Sequence, residues 1–100
     1  MLDYERHNPS EVRAAIEAQA IVGAAPSSVI SALGGVRLAG GDTLVVGSYV
    51  EDGDRRVVEA SLVGAKKTGR LLWSVDVVVY FDSNRKATKI DVEYSSTNPM

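Results

Sequence analysis

Few residues in this 100-residue chain have the type and spacing to do chemistry, and each has a plainer reading beside it. The one histidine, His7, stands in a polar segment ahead of the first expected helix, and reads as a solvated ring rather than a metal ligand. Glu51, Asp52 and Asp54 bunch around Gly53 and could attract a cation. They lack the length and the distal Glu of a calcium loop, and an Asp-Gly hairpin turn accounts for them. Residues 64–70 mix Gly, Lys and Thr as a phosphate loop does. A phosphate loop needs its Lys directly after the last Gly, at a helix N-terminus, and here a strand follows. The segment reads as a polar, flexible connection. Its Lys66, Lys67 and Arg70 are placed to meet anionic lipid head groups or an acidic protein surface. Arg55 and Arg56 read as charges flanking a turn. With no HExxH, GxSxG or paired-carboxylate arrangement, the expectation is a protein that is not an enzyme and carries no catalytic residues, cofactor or metal.

The bulk numbers agree with that. The chain is 45% hydrophobic and 24% charged with a formal net charge of −2, ordinary values for one globular domain. A nucleic-acid binder would be strongly basic, so nucleic acid is not expected as a partner. There are no cysteines, which excludes disulfides, thiolate metal sites and cysteine nucleophiles. No apolar run approaches the roughly 18–20 residues that span a bilayer. Residues 1–7 are polar and lack the basic and apolar regions of a signal peptide. The reading is a cytosolic protein, or one whose targeting segment is absent from this chain.

Positioning falls to two helices and a sheet. Residues 1–8 read as a flexible leader. Asn8, Pro9 and Glu11 are a cap, a first-turn proline and a capping-box acid, and they start a helix over residues 9–22, stopped by Gly23. Its face of Val12, Ile16, Gln19 and Ala20, with Ala15 and Ala18 nearby, is narrow and suits close packing. A second helix fits residues 26–33, from Pro26 to the Gly34-Gly35 stop, with Val29, Ile30 and Leu33 as its buried stripe. From Asp42 the period changes to two. Strands follow over 43–50 and 55–63, then over 71–81, where Leu71, Trp73, Val75, Val77, Val79 and Phe81 share one face. A turn at 82–86 leads to a last strand with Thr88, Ile90, Val92 and Tyr94 on that same face, and Lys89, Asp91 and Glu93 facing out. Residues 9–94 make the domain, and residues 95–100 are expected to fray as a tail.

The fold class that follows is α+β, two N-terminal helices packed on one face of a four-stranded antiparallel sheet in the order ααββββ. The other face is left open. Val45, Tyr49, Val57, Val63, Leu72, Val78 and Tyr80 are expected there, diluted by Glu59, Ser61, Ser74 and Asp76. That much aliphatic and aromatic area suits a partner protein or self-association into a homodimer.

Two signatures carry a family resemblance. Gly23, Val29, Leu33 and Gly34 match a glycine, a valine six residues on, then leucine-glycine. Val77, Val79, Phe81, Asp82, Ile90 and Asp91 match an aliphatic strand ending in Phe-Asp, a polar turn, and a strand reaching Ile-Asp. On these residues the chain resembles the SmpA/OmlA family, the BamE-like small lipoproteins of the bacterial outer membrane, over residues 20–94. The fold also looks like that of β-lactamase-inhibitor-protein-like domains. The resemblance implies a non-enzymatic, periplasmic, outer-membrane-associated module that supports outer-membrane assembly or envelope integrity. Its partners would be envelope proteins and anionic phospholipid. The alternative is a soluble, inhibitor-like or adaptor domain that docks onto an enzyme, with a cytoplasmic location open to it.

Overall fold

The computed structural model describes residues 3–97. The first helix, α1 (Pro9–Glu17), begins where its caps require. Asn8 lies in extended backbone and its side-chain oxygen accepts the Glu11 N–H at 2.9 Å, while Pro9 takes the first helical position. Val12 and Ile16 are its buried residues. α1 is shorter than the 9–22 expected. Beyond Ile16 the sequence Ala18-Gln19-Ala20 has little apolar surface to hold another turn against the sheet. The chain leaves the helix, Ala20 takes a left-handed φ of 52°, and Ile21 folds back into the core at 2% exposure. The second helix, α2 (Pro26–Gly34), buries Val29 and Leu33.

Five antiparallel strands form one sheet: β1 (Tyr4–Glu5), β2 (Val45–Asp52), β3 (Arg55–Thr68), β4 (Leu71–Phe81) and β5 (Ala87–Thr97). β3 holds both β1 and β2 along one edge, β4 lies on its other side, and β5 closes the far edge. The fold is α+β, two helices on an antiparallel sheet. The segment expected as a leader thus supplies a strand, Tyr4 pairing with Lys67 and Glu5 with Lys66. Val58, Ala60, Leu62, Val75, Val77, Val79, Phe81 and Ile90 meet Val12, Ile16, Val29 and Leu33 in one core. No helix among the described residues is long and apolar enough to cross a membrane.

Two irregularities interrupt the β-pairing, and the first resets which side chains face where. In β2 the register shifts between Val46 and Tyr49, so Gly47 and Ser48 form a bulge opposite Glu59. Strict alternation would send Tyr49 outward. The bulge turns it inward to pair with Val58, and turns Val50 outward beside Val57. In β3 the register shifts between Leu62 and Lys66, so Val63, Gly64 and Ala65 stand opposite Ser74 alone. Gly64 takes φ +74° there, and Ala65 is fully buried. Residues 64–68 belong to β3, so the expected flexible connection shrinks to the turn at Gly69 and Arg70. Of the expected frayed tail, Ser95 and Ser96 pair with Ser74 and Trp73, and residues 98–100 lie outside the described residues.

The molecule measures 48 × 27 × 17 Å. Each nine-residue helix reaches only about 13 Å, too short to cover the sheet lengthwise. The inner face around Lys66, Trp73 and Tyr94 is met instead by the N-terminal segment, whose His7 carbonyl accepts the Tyr94 hydroxyl at 3.3 Å.

Candidate functional site: the outer sheet face

Register fixes which side chains share the uncovered face. One row runs Val50, Val57, Tyr80, Lys89 across four strands, the next Glu59, Val78, Asp91, and a third Val45, Ser61, Asp76, Glu93. Within it lies a shallow, open depression of about 560 Å³ lined by Val45, Gly47, Glu59, Ser61, Asp76, Val78 and Glu93. Gly47 belongs to the bulge for a steric reason: a Cβ there would stand 3.3 Å from the Glu59 carbonyl oxygen.

The apolar part of this face is unevenly exposed. Val45, Val63 and Val50 show 67%, 66% and 51% of their surface, whereas Val57 shows 1%. Val57 was expected as a contact residue. It faces outward by register, flanked by Val50 and Tyr80 in its row, but is buried, so it supports the surface rather than presenting it. Val78, Leu72 and Tyr80 are half-buried on this face, and the Lys89 ammonium lies 5.5 Å from the Tyr80 ring centroid. Tyr49, expected beside them, is on the opposite face against Phe81.

The polar part is acidic. Asp76 and Glu93 stand directly opposite each other on β4 and β5. Arg55 pairs with Glu59 at 3.2 Å and Lys89 with Asp91 at 3.7 Å, while neither Asp76 nor Glu93 has a cationic partner among the described residues. Like charges opposed across strands destabilise a sheet, so folding alone gives no reason for this pair. Among the described residues no group of three or more His, Cys, Asp or Glu is placed to hold a metal ion.

The expected basic cluster is not assembled. Lys66 pairs with Trp73 on the inner face, its ammonium 5.1 Å from the Tyr94 ring and 5.7 Å from the Trp73 ring. Lys67 pairs with Leu72 on the outer face, and Arg70 is exposed in the turn. The continuation of β3 through Thr68 sets this split, because adjacent residues of a strand point to opposite faces.

At the hairpin end, Glu51 accepts the Tyr49 hydroxyl at 2.8 Å and faces the Arg85 and Arg56 guanidiniums at 3.2 and 3.8 Å. The Tyr49 hydroxyl and these cations hold its carboxyl below the usual range against a partial burial that pushes the other way. Burial, then the Glu51 contact, pushes the Tyr49 phenol up.

The largest departure from the sequence reading is His7. Expected as solvated, it is 3% exposed and held between two carboxylates, with Nε2 2.7 Å from Asp42 and Nδ1 2.9 Å from Glu11. Burial pulls its pKa down, but the Asp42 and Glu11 hydrogen bonds and charges outweigh that and leave it raised above 6.5. The same contact, ahead of a charge from Arg6, holds Asp42 below its ordinary value. The spacing of His7 and Glu11 across the helix start was a readable signal. Asp42, 35 residues away, left none.

Set against models of known protein families, against curated proteins and against solved structures, the chain matches none.

Proposed function

We propose that this protein is a non-enzymatic interaction module that docks a partner protein on its outer sheet face. The observation that carries the reading is the pairing, on one uncovered face, of exposed Val45 and Val50 with the opposed carboxylates Asp76 and Glu93. Exposed valines supply area to bury. The unneutralised carboxylates favour a partner whose contact surface is basic, which would relieve their repulsion on binding. The depression is too open and too poor in convergent donors to suggest a reaction site.

The setting follows from the resemblance to BamE-like lipoproteins: an envelope protein, periplasmic and associated with the outer membrane, acting in outer-membrane assembly or envelope integrity. Contact of Lys67 and Arg70 with anionic phospholipid is a lesser part of this reading. Fractionation of the full gene product tests the setting, and recovery in the cytosol alone would sink it in favour of an inhibitor-like domain on a soluble enzyme. Deleting the gene should leave the envelope permeable. Wild type should restore it, and a folded Val45→Asp/Val78→Asp variant should not.

A further inference from the structure

Both ring nitrogens of His7 face carboxylates. Nδ1 lies 2.9 and 3.2 Å from the two Glu11 oxygens, and Nε2 lies 2.7 Å from Asp42 Oδ2. An ionised carboxylate only accepts, so both nitrogens must donate, and only the imidazolium carries two N–H groups. The backbone of the same residue is held as firmly. Its N–H and that of Arg6 donate to the Ala65 carbonyl in the β3 bulge at 3.2 and 2.8 Å, and its carbonyl accepts from Tyr94 on β5. One buried ring thus ties the N-terminal segment to α1, to the approach to β2, and through its own backbone to β3 and β5.

The charged and titratable groups around it come from each of these elements. Glu11 is on α1, and Asp42 precedes β2. Arg6, on the same segment, acts on Asp42. Tyr94 on β5 is a neutral phenol pushed up by burial and by Glu5. β3 presents the Ala65 carbonyl and, beyond it, the Lys66 ammonium, 5.1 Å from the Tyr94 ring.

We propose that His7 is a proton-operated latch, which holds residues 3–8 against β3 and β5 while the imidazole is protonated and releases them when it is not. Loss of the proton turns one nitrogen into an acceptor, buried against an acceptor. The repulsion is relieved when the segment lifts, and lifting frees the β3 edge at Lys66 and Lys67 together with the Trp73–Tyr94 pair. The closed state binds the proton more tightly than the open one, so opening releases it. Opening is therefore flat with pH below the free-imidazole value of 6.5, rises as pH climbs from there to the raised value of the closed state, and levels off above it. One proton sets the limit at about tenfold per pH unit. On the acid side the latch holds until Asp42 takes up its proton, which the His7 contact moves below its ordinary value.

The test is amide hydrogen exchange on the whole chain, run beside an NMR titration of the His7 ring. After correction for intrinsic base catalysis, protection of the Arg6, His7 and Gly69 amides should fall across the interval above 6.5, by at most about tenfold per pH unit. Gly69 reports because its N–H is held by Asp3 at 2.8 Å. Amides in the middle of β4 should not follow. Asp42→Asn, or Glu11→Gln where the first variant folds poorly, should move the titration and the loss of protection together to lower pH. Protection that stays level while the ring titrates, a wild-type His7 that titrates below 6.5, or variants that shift the titration without the protection would each overturn the latch.

Discussion

Tyr49 and Phe81 meet edge to face on the helix-covered side of the sheet, their ring centroids 5.4 Å apart and their planes at 89°. Aromatic pairs in this geometry contribute beyond the area they bury. Phe81, 5% exposed, is the deeper partner, and Phe81→Ala should cost about 3–5 kcal/mol in urea unfolding. Tyr49→Ala should destabilise by less, because its edge reaches solvent beside Glu51. Docking on the outer face should survive it in molecules that remain folded. Lost docking in a folded Tyr49→Ala protein would show that the ring reaches the partner.

Gly47 permits the bulge that turns Tyr49 inward. A Cβ there would stand 3.3 Å from the Glu59 carbonyl oxygen, tighter than ordinary contact. Gly47→Val should therefore destabilise by about 1–3 kcal/mol through overpacking, with the denaturant m-value unchanged. An unchanged midpoint would mean that the bulge relaxes without strain.

Reversing one of the two opposed carboxylates separates folding from binding. Asp76→Lys should raise stability by about 0.2–1 kcal/mol, since it faces Glu93 with an opposite charge. The same variant should weaken docking of a basic partner. A calorimetric Tm that rises together with stronger docking would refute the charge assignment of the face.

The acid limb of stability follows from the depressed carboxyls. Asp42 and Glu51 have folded values below their ordinary 3.8 and 4.5, so their contribution is complete above those values. It is lost as pH falls through the lower, folded ones, where the native state must also take up protons. His7 works in the other direction, and its contribution is complete below 6.5 and fades as pH rises through its raised value. A Tm profile in dilute buffer should thus be highest between the carboxylate range and 6.5. Asp42→Asn should lower that plateau and flatten the acid limb. A Tm still climbing above pH 6.5 would contradict the raised His7 value.

What the sequence determined by itself is local. Asn8 and Pro9 start α1, Pro26 and the Gly34-Gly35 pair bound α2, and the period-two run from Leu71 to Phe81 yields β4 at its expected limits. Each depends on neighbours a few residues away, through caps, fixed φ angles and alternation, and these are written in order along the chain. Tertiary structure decided what depends on partners distant in sequence. Whether Gly47 bulges is settled by the close approach of Glu59 on the next strand, and that one bulge moves Tyr49 from the open face to the core. The pairing of residues 66–68 with β4 likewise separates Lys66 from Lys67, and the β3 bulge presents the Ala65 carbonyl that receives the N-terminal segment. His7 reads as a solvated side chain until Asp42 arrives from 35 residues away. Alternation is broken by cross-strand sterics and charge is buried only where its counter-charge lands, and neither condition exists before the chain has folded.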